Sequence, residues 1–315
     1  MIITVLIAVC HGDLLMNSIF LAHTHYLPKS LLQTTNVVGA ILVPDFYSDM
    51  NQYYWNKPRN YSNIFSYLSD DIIELPPNIV WHFSIENINM VHKEWLPLLK
   101  GTKIKSIQLF HNRCNSYYSY NNGLTDIGRE LLDILSDNQY ILDLSHVNDK
   151  HLYEICRIYD GLISISHCGC SDLYRERYNR TNSISQNTLV KLSNMNNIYF
   201  GIAFLNDIIC EVENEQEDCI IYKNIADQIT LFTEIIGNER VMLGPDYFNM
   251  EYFSKKFNTA LKIPKELYAN QGFENLRHIL VKNNLTSYEI DNVFFKNGMR
   301  LISNILNICS QEMSF

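Results

Sequence analysis

Short apolar runs rich in β-branched residues recur along the chain, and longer amphipathic or polar stretches separate them. In order they cover residues 2–9, 37–43, 78–85, 104–110, 140–144, 161–166, 197–204 and 240–244. Their apolarity is continuous rather than alternating, which suits strands covered on both faces, as in a parallel sheet. Helical patterns lie between them at 124–137, 149–158, 186–194 and 222–236, the first opening with Thr125 as an N-cap. Two more, at 266–282 and 287–306, follow the eighth run. Strand and helix alternating eight times predicts an α/β fold, a (β/α)8 TIM barrel with C-terminal closing helices. No linker, repeat or low-complexity tract divides residues 1–315, so one barrel domain is expected. The longest irregular stretches are 44–58 and 248–264, and long loops at the mouth of a barrel usually carry function.

Active sites of such barrels sit at the C-terminal ends of the strands. The first predicted strand is followed by His11-Gly12-Asp13, the third by Glu86, the fourth by His111. The fifth is followed by His146, the sixth by His167 and the eighth by Asp246. With ten His in 315 residues, four at strand ends is a concentration that composition alone does not explain. Imidazoles and carboxylates converging from several strands form a ligand set for a borderline divalent metal such as zinc. His11 and Asp13, two apart, can turn toward one ion. The two oxygens of Glu86 can bridge two ions roughly 3.5–4 Å apart.

The same residues sit in motifs that resemble the membrane (renal) dipeptidase family of zinc metallopeptidases. LTDIGRELL (124–132), ILDLSH (141–146) and ISISH (163–167) carry most of the likeness. His11-x-Asp13, SIE (84–86), LFHN (109–112), LGPD (243–246) and the C-terminal stretch 280–301 follow in the family's order. The resemblance implies a metallo-dependent hydrolase with two Zn2+ ions that cleaves dipeptides. In it His11 and Asp13 hold one ion, His146 and His167 the other, and Glu86 bridges them. His111 stabilises the oxyanion and Asp246 shuttles the proton. Around this set the sequence departs from the family. Asn87-Ile88 replaces the Gly after the bridging Glu, Cys168-Gly169-Cys170 follows the last His, and Asp246 runs on as Asp246-Tyr-Phe-Asn249. The family's Arg-Asn pair, whose Arg grips the substrate carboxylate, is blurred in YRERYNRTNSIS (174–185). Arg180 is the nearest candidate, although matching Asn182 to the family's Asn puts Thr181 at the Arg position.

Other signals carry structural readings. His23-Thr24-His25 has HxH spacing but lies past the first predicted strand. His82 reads as a structural strand residue, and His92, His151 and His278 as surface residues. Cys168 and Cys170 read as small core or loop residues. The remaining composition excludes several classes. A net charge of −9 argues against a nucleic-acid partner. Eight cysteines without a CxxC pair fit neither a disulfide scaffold nor a zinc ribbon. The apolar N-terminus lacks a basic region, and no uncharged apolar run reaches 18 residues, so neither a signal peptide nor a membrane span is expected. The expectation is a cytoplasmic enzyme acting on a dipeptide or a peptide-derived small molecule, with a homodimer implied by the resemblance. Two alternatives stay open: a tailoring enzyme in the biosynthesis of a peptide-derived metabolite, for example one cleaving a cysteinylglycine conjugate, and a catalytically silent metal-binding barrel.

Overall fold

The computed structural model describes residues 18–24, 36–42, 80–86, 88–90, 92–111, 115–173, 182–209, 218–247 and 263–312. Eight parallel strands close on themselves. They are β1 (Ser18–Thr24), β2 (Asn36–Leu42), β3 (Val80–Ile85), β4 (Ile104–Gln108), β5 (Ile141–Asp143), β6 (Ile163–Cys170), β7 (Ile198–Ile202) and β8 (Val241–Leu243). Each pairs with the next, and β8 pairs with β1 through Leu243 and Leu21 to complete the ring. This is the expected (β/α)8 barrel. The continuous apolar runs are explained by burial on both faces: every residue of β5, β6, β7 and β8 is buried.

The first strand is a correction. The place expected for residues 2–9, between the last strand and the second, is filled by Ser18–Thr24. Ile19, Phe20, Leu21 and Ala22 supply its buried apolar segment. Four apolar residues flanked by Ser and His make a weaker pattern than the eight-residue run upstream, which residues outside the description contain.

The helices form for local reasons that the sequence shows. Asp126–Asp137 starts where the Thr125 hydroxyl accepts a hydrogen bond from Gly128 N at 3.0 Å, and it buries Leu131, Leu132 and Leu135 along one stripe. Asp149–Ile158 is capped by Asn148 and Gln186–Leu192 by Ser185. The helix expected over 287–306 is instead three pieces: Ser287–Asp291, a π-helical turn Asn292–Lys296, and Asn297–Glu312. Two side-chain amides explain the widened turn. Asn297 Nδ2 donates to the carbonyls of Asn238 and Val241, and Asn292 Nδ2 donates to Asn238 Oδ1, tying the turn to the start of β8.

Strands β6, β7 and β8 approach one another through backbone. The Ser166 carbonyl oxygen lies between Gly201 and Gly244, and a Cβ built on either glycine would stand 1.9 Å from it. Only glycine permits that approach. Beyond it, Gln228 clamps the end of β6, accepting from Cys170 N at 2.7 Å and donating to Cys170 O at 3.3 Å. No helix among the described residues is long and apolar enough to cross a membrane.

Candidate metal centre

Four of the sequence-predicted side chains meet at the C-terminal mouth of the barrel. Glu86 follows β3, His111 lies three residues past β4, His146 three past β5, and His167 is within β6. Glu86 Oε1 stands 3.2 Å from His111 Nε2. The rings of His111 and His146 meet edge-on at 4.5 Å between centroids. His146 and His167 follow at 5.0 Å, and their Nε2 atoms face each other at 3.1 Å. Glu86, His146 and His167 are buried, and His111 is half-buried.

Each imidazole is held by its surroundings. Ser166 Oγ lies 3.1 Å from His167 Nδ1 and 2.5 Å from Asp143 Oδ2. Asp143 Oδ1 accepts from Ser145 N, Ser145 Oγ and Ser166 N at 3.0, 2.9 and 3.2 Å. Burial holds the Asp143 carboxyl above the usual carboxylate range, and the hydrogen bonds from Ser166 and Ser145 offset only part of that rise. On the other side, Asn182 Oδ1 accepts from the His146 backbone N–H, while Asn182 Nδ2 lies 3.2 Å from His146 Nε2. The residue type at 182 was visible in the sequence, but its contact with His146 spans 36 positions and had no local signal.

Backbone strain gathers here. Of five non-glycine residues with positive φ among the described residues, His146 (66°), Asn182 (76°) and Asp246 (56°) sit at this mouth. Gln139 and Asn284 are the other two, each just past a helix C-terminus, where a left-handed residue is ordinary. A left-handed His is uncommon and costs energy that local packing must offset. Asp246 is buried, three residues past β8. The next residue, Tyr247, bridges to Thr24 at the end of β1, so the ends of the first and last strands are adjacent.

The donor set suits a divalent metal. Two nitrogens each about 2.05 Å from a tetrahedral ion lie about 3.3 Å apart, close to the 3.1 Å between the two Nε2 atoms. Among the described residues no three His, Cys, Asp or Glu side chains close on one point. His11 and Asp13 lie outside the described residues, as does Arg180. The end of β1 is Thr24, within His23-Thr24-His25, the HxH segment set aside on the sequence. Of the other histidines, His151, expected at the surface, is half-buried beside Tyr118. His82 is buried, His92 is exposed, His278 Nδ1 donates to Glu274 O, and His151 meets Tyr118 Oη at 2.9 Å. Cys168 and Cys170 are buried thiols whose pKa burial raises, which disfavours the thiolate a metal needs.

A parallel barrel with carboxylate and imidazole side chains at its C-terminal mouth defines a hydrolase of the metal-dependent type. The family profile of membrane dipeptidase (Peptidase family M19) matches residues 106–314, and the chain belongs to that family. It is a hydrolytic enzyme of a metallopeptidase family. The match includes His111, His146, His167 and Asp246 and begins after Glu86. A search of curated proteins finds no match. Among solved structures, an amidohydrolase from Pseudomonas aeruginosa is similar at 15% identity, TM-score 0.74, over 93% of this chain and 98% of that one. A metallopeptidase from Rhodobacter sphaeroides, bound to a phosphinate mimic of L-Ala-D-Ala, is similar at 14% identity, TM-score 0.65, over 91% and 99%. The probable dipeptidase PvdM from Pseudomonas aeruginosa is similar at 12% identity, TM-score 0.61, over 86% of each chain. At these identities the likeness is one of fold.

Proposed function

We propose that the chain is a binuclear zinc-dependent dipeptidase-like amide hydrolase. The observation that carries the reading is the facing pair His146 and His167. Asn182 Nδ2 lies 3.2 Å from His146 Nε2, an amide contact that a metal would replace on the ring lone pair. Ser166 Oγ lies 3.1 Å from His167 Nδ1, and in the tautomer with the ring proton there Nε2 has the lone pair a metal takes. The 3.1 Å between the two Nε2 atoms is close to the spacing of two nitrogens on one tetrahedral ion.

His146 and His167 would hold one ion and Glu86 would bridge to a second. A second ion would need further ligands from the first-strand end: the resemblance implies His11 and Asp13, whereas the end of β1 at Thr24, which pairs with Tyr247 beside Asp246, argues for His23 and His25. Bound divalent ions supply a Lewis acid and a water acidic enough to give hydroxide near neutral pH. His111, whose Nε2 stands 3.2 Å from Glu86 Oε1, is placed to offer a ring N–H to the oxyanion of a scissile carbonyl. Asp246 takes up the proton of the attacking water and returns it to the leaving amine.

The substrate is an amide with a free carboxylate, a dipeptide in the first instance, with Arg180 as the candidate grip. A second reading, a peptide-derived metabolite as substrate, is favoured by the Asn182–His146 contact, because anchoring Asn182 leaves Thr181 rather than Arg180 directly before it. The test is zinc titration of the purified chain followed by a panel of dipeptides and cysteinylglycine conjugates. Uptake of about two ions with metal-dependent amine release is expected. No zinc uptake overturns the metal reading, and zinc uptake without any cleavage favours the silent barrel.

A further inference from the structure

The turn that carries His146 is built against that residue's preference. Val147 N donates to Leu144 O at 3.2 Å, which closes a four-residue turn with His146 in third place at φ 66°. Positive φ at that place favours Gly or Asn, and a His persists there only when its surroundings fix it. On the entry side, Asn182 Oδ1 accepts from the His146 backbone N–H. On the exit side, the backbone N–H of Asn148 donates to the Tyr118 hydroxyl at 2.9 Å.

Tyr118 itself belongs to the strand end that carries His111. It opens a two-stranded hairpin, Tyr118–Ser119 paired with Gly123–Leu124. Asn115 fastens this hairpin to the end of β4. Its Nδ2 donates to Leu109 O at 2.7 Å, and its Oδ1 accepts from Tyr117 N and Tyr118 N at 2.9 and 2.7 Å. The Tyr118 ring packs edge-on against Phe110, the neighbour of His111, at 5.0 Å between centroids. Tyr118 is fully buried, and its hydroxyl also meets His151 Nδ1 at 2.9 Å. A hydroxyl has two lone pairs and one proton, so it can accept from Asn148 whichever partner donates in the His151 contact.

We propose that Tyr118 is a positioning residue: its hydroxyl ties the His146 turn to the strand end of His111 and so holds the His146 ring where a metal ligand is needed. The inference rests on the reading of His146 as a ligand. Without the hydroxyl, the Asn148 N–H loses its acceptor and the strained turn is free to relax toward an ordinary negative φ. The His146 ring would then swing away from His111 and His167, whose rings it meets at 4.5 and 5.0 Å. Groups behind a metal ligand govern affinity through this kind of control over ring orientation.

The experiment compares the full chain as wild type, Tyr118→Phe and Tyr120→Phe. Tyr118→Phe keeps the ring on Phe110 and deletes only the hydroxyl. Tyr120→Phe deletes a hydroxyl of the same hairpin, from a ring that also stacks on Phe110, and leaves the Asn148 N–H its acceptor. Zinc affinity is measured by chelator competition and global stability by urea. NMR of the 15N-labelled, metal-stripped chain reads the His146 ring and the exchange of the Asn148 amide. In Tyr118→Phe the Asn148 amide should exchange faster, the His146 ring signals should shift, and zinc affinity should fall by about tenfold. Tyr120→Phe should match wild type in all three. A merely structural tyrosine would lower the urea midpoint while zinc affinity and the His146 ring stay unchanged, and that result overturns the proposal. An equal loss of zinc affinity in Tyr120→Phe overturns it too. A wild-type chain that takes up no zinc removes the metal reading instead. The His146 ring, read without metal, then decides the tether, and unchanged ring signals in Tyr118→Phe overturn it.

Discussion

Glu86 Oε1 and His111 Nε2, from neighbouring strand ends, meet at 3.2 Å at the barrel mouth. The contact separates two roles that one substitution each can resolve. Glu86→Gln keeps the volume but cannot bridge two cations as a carboxylate, so metal content per chain should fall together with activity. His111→Ala removes a donor and no proposed ligand, so it should keep its metal and lose about 10²–10³ in kcat. Elemental analysis beside steady-state kinetics checks both. Full metal content in Glu86→Gln would place the bridge elsewhere.

The position of β1 makes a sharper distinction. With Thr24 at its end, His23→Ala and His25→Ala are each expected to lose zinc, while His11→Ala and Asp13→Ala are expected to keep it. Metal analysis of the four variants is sufficient. Zinc lost only from the His11 and Asp13 variants would return the ligands to the segment the sequence pattern first selected.

Asp246 has a left-handed backbone, φ 56°, and asparagine tolerates that conformation as well as aspartate does. Asp246→Asn is therefore expected to fold and to retain most of its zinc. It cannot take up a proton, so turnover of a cleavable dipeptide should drop by about 10²–10⁴. Wild-type turnover in this variant would remove Asp246 from the proton path.

His82 predicts a pH dependence of stability. Burial, with help from Lys103 and Lys105, lowers its pKa to about 4 from an ordinary 6.5. The unfolded chain takes up the proton below pH 6.5 and the native chain resists until about 4, so the native state loses stability as pH falls through that window. The shift corresponds to about 3 kcal/mol at full extent. His82→Leu should remove that part of the slope: urea midpoints of wild type and variant should converge or cross between pH 7 and 4.5. Parallel midpoints across the range would show that His82 charges freely in the native state.

The barrel was legible because seven of its strands are runs that both faces bury, and burial writes itself into composition. The 37–43 run became Asn36–Leu42 and the 197–204 run became Ile198–Ile202, each with small changes at the ends. β1 was not legible, because apolarity alone cannot tell a short strand from a longer apolar segment upstream. The strand-end residues Glu86, His111, His146 and His167 were legible for the same reason the barrel was: parallel topology brings all C-termini to one mouth. The Asp143–Ser166 link was not, because register between β5 and β6 sets it and register has no local signature, and Asn182 reaches His146 only across 36 positions. The DLSH motif contained Asp143 and Ser145 all along, but only pairing of Asp143 with Ser164 shows why they stand there.

The Ser166 carbonyl between Gly201 and Gly244 has one more consequence. Where strands are spaced by side chains, every mutation at the interface is an opportunity to drift. Here the spacing is backbone against backbone, and any side chain at 201 or 244 would break it. Heritable variation can rewrite the segments beyond the strands, such as the polar stretch before Asn182, without altering the distance between His167 and the residues after β8. A lineage built on this barrel can explore new molecules at its mouth while its chemistry stands still.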